Sequence, residues 1–323
     1  MREPHPPLEP YESGMLDVGD PAAGDTNRIH WETSGNPRGK PALVVHGGPG
    51  SGSSPGARRL FDPERYRIVQ FDQRGCGRST PGADDHATDM RHNTTGHLTA
   101  DMERLRAHLG VERWLLYGGS WGSTLLLAYA QRHPRRVSEI VINAVTTTRR
   151  SETDWLYRGV GRYFPEQWER FLAGAPGTPR DGDIVAAYAR LLEDPDPAVR
   201  EKATADWCAW EDAVLSGETG GGNPYQDRPS RARLAFVRIC AHYFSHGAWL
   251  EEGALIRDAG RLAGIPGVLI HGRLDMGGPL ETAWQLSRGW PDAELHVVES
   301  AGHIPTPRPR ELAMEALDRF ARR

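Results

Sequence analysis

Cysteine is scarce in this chain: three in 323 residues, Cys76, Cys208 and Cys240, an odd number at wide spacing. Such a set builds no disulfide framework and no paired C-x-x-C metal motif, and it fits a reducing, cytoplasmic setting. Long apolar runs are missing as well. No stretch approaches the roughly 18 uninterrupted apolar residues of a membrane span. The opening MREPHPPLEPYESGM puts charges and prolines where an export leader needs an apolar run of about seven or more. The expectation is a soluble protein with no membrane contact. A basic excess is absent too: 39 Lys plus Arg stand against 43 Asp plus Glu, a formal charge of -4. That balance argues against a general binder of nucleic acid or anionic membranes. With no internal repeat and no low-complexity tract, collagen and long coiled coils are excluded.

What the chain has is punctuation: 37 Gly and 25 Pro separate short apolar runs. Tyr11–Val18 and Asn27–Thr33 read as strands. Pro41–Val45, Tyr66–Phe71, Arg113–Tyr117 and Val137–Val145 read as buried strands, each ending in a polar or glycine-rich loop. Between them, Thr95–Leu109 carries Leu98, Met102, Leu105 and Leu109 on one helical face. Thr99–Met102 serves as its first turn and Gly110 as its stop. Ser123–His133 is apolar nearly all round, as a helix buried between layers must be. Strand–helix alternation of this kind builds a parallel sheet covered on both faces. From about 146 to 252 the rhythm is helical, with Trp155, Trp168, Trp207, Trp210 and Trp249 in polar stretches and a flexible break expected at 217–222. Strands return at 266–271 and 294–298, and a helix over 309–321 closes the chain. The expected organisation is an α/β core of residues 1–145 and 253–323 carrying a helical cap, 146–252.

The chemistry starts at Gly118-Gly119-Ser120-Trp121-Gly122, a G-x-S-x-G between an expected strand and an expected helix. That context lifts a serine hydroxyl above the sheet edge and aims the following amides where an anion can sit. A serine hydroxyl needs a base, and this topology orders the chain Ser, acid, His. His303, between the last strand and the last helix, is the candidate base; His271, inside an apolar strand, reads as structural. Asp275, directly after the strand ending at His271, is the candidate acid, with Asp258 and Glu299 as fallbacks. For an oxyanion, the N–H of Trp121 and that of Gly48 in His46-Gly-Gly-Pro-Gly50 are the candidate donors.

These residues resemble a known family. HGGPG at 46–50, DQRGCGRS at 72–79, GGSWGS at 118–123 and HGRLD at 271–275 look like the proline iminopeptidases, serine peptidases of the α/β-hydrolase superfamily, over roughly residues 10–320. The resemblance implies an α/β-hydrolase fold with an inserted helical cap, a triad of Ser120, Asp275 and His303, and an oxyanion hole at Gly48 and Trp121. It also implies release of N-terminal proline from short peptides, the free amine being held by cap carboxylates. Trp207-Cys-Ala-Trp-Glu211 is similar to the family's W-x-x-W-E, which makes Glu211 the amine anchor, with Trp210 beside it offering an apolar surface. The family's I-E-N-H-Y-F is here Ile239-Cys-Ala-His-Tyr-Phe244, so Cys240 stands where a second acid is usual; Asp212 is the one nearby substitute.

Three functions follow as alternatives: a serine aminopeptidase, an esterase or amidase for a small uncharged metabolite (favoured by Cys240), and a non-catalytic binder on a hydrolase scaffold. None of them calls for a metal or an organic cofactor, and the expected partner is a small peptide or small molecule.

Overall fold

The computed structural model describes residues 3–220 and 222–322. Eight strands form one sheet: β1 (Glu12–Asp17), β2 (Arg28–Gly35), β3 (Lys40–Val45), β4 (Tyr66–Phe71), β5 (Trp114–Ser120), β6 (Val137–Val145), β7 (Gly267–Gly272) and β8 (Ala293–Val298). Their spatial order is β1-β2-β4-β3-β5-β6-β7-β8. Strands β1 and β2 join antiparallel at one edge, and every pair from β4 through β8 is parallel.

Alternation along the parallel strands explains why they read as continuous apolar runs. Leu43, Val45, Leu116, Ile140, Ile142 and Leu269 enter one core. Their neighbours Ala42, Val44, Leu115, Val141, Val268 and Ile270 enter the other. A strand covered on both faces has no polar side to show. The first core is closed by α2 (Thr95–His108), α3 (Trp121–Arg132) and α11 (Leu280–Gly289), the second by α12 (Pro307–Phe320) and the short α1 (Pro55–Arg58).

Some details of the helices differ from the sequence expectation for local reasons. Helix α2 begins at Thr95, as expected, where the Thr94 hydroxyl accepts the His97 N–H and caps it; Thr99–Met102 is therefore its second turn and not its first. Leu109 caps its end, and Gly110 follows at φ +64°, the left-handed stop expected there. Helix α3 starts at Trp121, directly after the serine.

Between β6 and β7 the described chain is helical: α4 (Arg150–Tyr157), α5 (Pro165–Ala173), α6 (Ile184–Leu192), α7 (Pro197–Val214), α8 (Ser216–Thr219), α9 (Ser230–Ser245) and α10 (Ala254–Arg257). Helices α4–α7 and α9 share an aromatic core of their own, built on Tyr157, Trp168, Phe171, Tyr188, Trp207 and Trp210. Phe171 stacks on Tyr188 at 4.4 Å and on Trp210 at 5.6 Å. The tryptophans of this region thus hold it together, except Trp249, which is exposed. The expected break at 217–222 is a helical turn over its first residues; residue 221 lies outside those described. Among the described residues no helix is long and apolar enough to cross a membrane.

Candidate active site

Strand β5 ends at Ser120, which sits at φ 56°, ψ -132° before α3 begins. A non-glycine residue at positive φ is strained, and such strain persists only where the surroundings enforce it. Here the enforcement is close packing. A Cβ on Gly122 would lie 2.4 Å from the Val45 carbonyl oxygen, and one on Gly118 would lie 2.9 Å from the same atom. Glycine two positions on either side of Ser120 lets β5 and α3 press against β3, which forces the sharp turn.

Three loops, each leaving a different strand, meet at this turn. His303, after β8, places Nε2 3.0 Å from Ser120 Oγ and Nδ1 2.9 and 3.0 Å from the two oxygens of Asp275, which follows β7. In the neutral imidazole that carries its proton on Nδ1, the serine O–H donates to Nε2 and Nδ1–H donates to the carboxylate. Burial pulls the Asp275 carboxyl up, but the imidazole opposite and the Gly278 N–H, 2.7 Å from Oδ1, together hold it below the ordinary range. Burial would likewise lower His303, yet the charge and hydrogen bond of Asp275, with Glu218 and Glu211 farther off, raise it to about 9. His271 braces the acid loop. Its Nδ1 accepts the Val145 N–H at 3.0 Å and its Nε2 lies 2.8 Å from the Gly278 carbonyl, which ties the end of β6 to the turn that orients Asp275. The fallback acids lie elsewhere: Asp258 pairs with Arg257, and Glu299 pairs with Arg273 on the surface.

The loop after β3 brings Gly48 to the same place, at φ +116°, a conformation few other residues take. One side chain ties that loop to the helix start. Gln73 donates its N–H to His46 Nε2 (3.0 Å) and its side-chain amide to the His46 carbonyl (2.8 Å), while its Oε1 accepts the Trp121 indole N–H (2.9 Å). The segments carrying Gly48 and Trp121 are thereby fixed relative to each other, which a pair of oxyanion donors requires.

A cavity of about 70 Å³ opens over Ser120, with Gly48, Trp121, Tyr157, Glu211 and His303 on its walls. Glu211, on α7, is buried. Burial raises its carboxyl above the ordinary value, against hydrogen bonds from the Tyr157 hydroxyl (2.7 Å) and the Trp207 indole (2.8 Å). Both bonds land on Oε1. Glu152 also reaches the wall, but Thr147, Thr282 and the Arg149 backbone occupy its oxygens.

Two residues expected at the substrate stand away from this wall. Trp210 is buried in the aromatic core, its indole donating to the Leu156 carbonyl; the tryptophan that reaches Glu211 is Trp207, one helical turn before it. Cys240 is wholly buried and points its thiol at the Pro49 carbonyl, 3.3 Å away, so it supports the glycine loop. Asp212 is spent on the N–H groups of Tyr225 and Gln226. Sequence reasoning missed Glu218, whose Oε2 accepts the Ile304 N–H at 2.7 Å. Its carboxylate lies so close over Gly302 that a Cβ there would come within 2.2 Å.

The chain matches the α/β hydrolase fold family over residues 40–306. It is 52% identical over 322 residues to a probable proline iminopeptidase of Streptomyces coelicolor, covering 98% of each chain. It is 44% identical to the proline iminopeptidase of Xylella fastidiosa, covering 94% of each. Among solved structures, the proline iminopeptidase of Mycobacterium smegmatis superposes with a TM-score of 0.59 at 20% identity, covering 96% of this chain and 99% of that one. An esterase of Thermogutta terrifontis gives 0.61 at 18%, covering 96% and 98%. At such identities the two structures speak for the fold alone. With an eight-stranded sheet, a strained serine after its fifth strand and relatives alike over nearly their whole length, this chain belongs to the proline iminopeptidases of the α/β-hydrolase family.

Proposed function

We propose that this protein is a serine aminopeptidase that releases N-terminal proline from short peptides. Ser120 Oγ attacks the carbonyl carbon of the first residue as its proton passes to His303 Nε2, and Asp275 holds the resulting imidazolium. The N–H groups of Gly48 and Trp121 receive the oxyanion. His303 then gives the proton to the departing amine, leaving an acyl-enzyme that water clears by the same steps in reverse order.

The observation that carries the reading is the buried carboxylate of Glu211 on the wall of the cavity over Ser120. A buried carboxylate with no ion pair within 4.0 Å among the described residues, favoured by Arg228 and His303 only from farther off, is costly, and a protonated N-terminal amine supplies a charge in contact. The Tyr157 hydroxyl and Trp207 indole, both donors, keep Oε1 occupied and orient the group. An esterase for uncharged metabolites would have no use for such a carboxylate there.

The test compares proline naphthylamide, its N-acetylated form and a simple aryl ester, with Ser120→Ala as control. A strong preference for the free amine that weakens in Glu211→Gln supports the peptidase. Equal turnover with and without the amine returns the esterase reading.

A further inference from the structure

Ser120 and His303 also line a second cleft, to which Glu211 does not contribute. The two spaces share Gly48, Leu215 and Tyr225, so they meet at the reacting atoms. They differ in size and in charge. The second is the roomier, about 400 Å³ against about 70 Å³. Among the described residues no Asp or Glu lines it, and the one permanently charged side chain there is Arg228.

Arg228 is held in place but not neutralised by contact. Its guanidinium lies 4.2 Å from the Phe236 ring centre and 5.1 Å from that of Tyr225. Nη2 is 3.5 Å from the Ser51 hydroxyl. That hydroxyl is itself 3.1 Å from where a Cβ on Gly48 would stand. The cation therefore sits one serine side chain away from the loop that supplies a candidate oxyanion donor. No ion pair within 4.0 Å involves it among the described residues. Aromatic faces leave the edge N–H donors of an arginine free, and those donors match a carboxylate in paired geometry.

Resting on the aminopeptidase reading, we propose that this cleft takes the leaving portion of the substrate and that Arg228 binds its terminal carboxylate. A chain residue spans roughly 3.3–3.6 Å, so a leaving portion of one or two residues extends about 3–7 Å from the scissile bond into this cleft, whose lining includes Ser120, Ser51 and Arg228. The favoured substrates are then di- and tripeptides with a free carboxyl end, one charge read at each terminus: the ammonium by Glu211, the carboxylate by Arg228.

The experiment measures kcat/KM for proline-glycine, proline-glycine amide and proline naphthylamide with the wild type and Arg228→Gln. The wild type should favour the acid over its amide by on the order of 10- to 100-fold, the range of a charge-assisted hydrogen bond. Arg228→Gln should bring that ratio close to one and leave the naphthylamide, which has no carboxylate, within about twofold. Equal wild-type rates on acid and amide would overturn the proposal, as would a parallel loss on all three substrates in the variant. Failure of the wild type to cleave the naphthylamide would instead remove the aminopeptidase reading beneath it.

Discussion

Replacing Glu211 by glutamine separates charge from shape at the cavity wall. The side-chain carbonyl of glutamine can still accept from the Tyr157 hydroxyl and the Trp207 indole, 2.7 and 2.8 Å away in the parent. What vanishes is the negative charge opposite the substrate ammonium. Breaking a buried ion pair by removing one partner costs about 3–5 kcal/mol, which corresponds to roughly 150- to 5,000-fold in kcat/KM for proline naphthylamide. An aryl ester without an amine should lose almost nothing. Stability moves the other way. Burial raises the Glu211 pKa above the 4.5 of a free glutamate, so the native state binds this proton more tightly than the unfolded chain. Its contribution is most favourable below pH 4.5 and declines as pH rises, so at neutral pH the carboxylate costs stability and glutamine relieves that cost. The variant should therefore unfold at the same urea concentration as the wild type or a higher one. Amide turnover within threefold of wild type, or an equal fall on amide and ester, would refute the assignment of Glu211 to the amine.

The raised pKa of His303, about 9, means that the neutral base is scarce near neutrality. The rate of Ser120 labelling by a fluorophosphonate should climb with pH along a limb centred above 6.5, and a limb at or below that value would contradict the geometry. The same shift stabilises the fold fully below about pH 6.5 and is lost as pH rises through the folded value. Glu218→Gln keeps an acceptor for the Ile304 N–H but removes a charge that favours the imidazolium. It should move the labelling limb to lower pH, and an unmoved limb would show that Glu218 only anchors the loop. Gly122→Ala drives a Cβ against the Val45 carbonyl at 2.4 Å and should cost about 1–3 kcal/mol in urea unfolding. Gly217→Ala, with nothing within 4 Å among the described residues, should be close to neutral.

The parts of this molecule that could be read from sequence are those governed by local rules. Buried strands announce themselves because both faces must be apolar, and G-x-S-x-G does so because only small residues survive beside Val45. Chain order then selects one acid and one histidine from many, and the loops after β7 and β8 bring Asp275 and His303 to Ser120. Side-chain partners are read less directly. Trp207 lies four residues before Glu211 on α7 and shares its face, whereas Trp210 is its immediate neighbour and turns away, so helical spacing favours the first once α7 is known to be a helix. Cys240, expected from the resemblance to stand in place of a second substrate-facing acid, turns its thiol to the glycine loop.

Glu218 and Arg228 escaped notice for a further reason: neither lies in a motif, and each acquires meaning only from what folding sets beside it. Glu218 occupies a one-turn helix whose glycine-rich flank reads as a break, and its role depends on Gly302 being bare enough for a carboxylate to lie over it. Arg228 follows Tyr225 by three residues and meets Phe236 from the next helix, so its aromatic seat is partly local and partly tertiary. Chemistry at the serine needs fixed spacing along the strand–turn–helix unit, which leaves a trace in the sequence. Recognition of the substrate's far end, as proposed for Arg228, needs only a charge at the right depth, and many positions on the helical region can supply one. In this fold the reaction and, through W-x-x-W-E, the candidate amine anchor Glu211 are therefore legible from the chain, whereas the cation proposed for the far end of the substrate is legible only from the cleft.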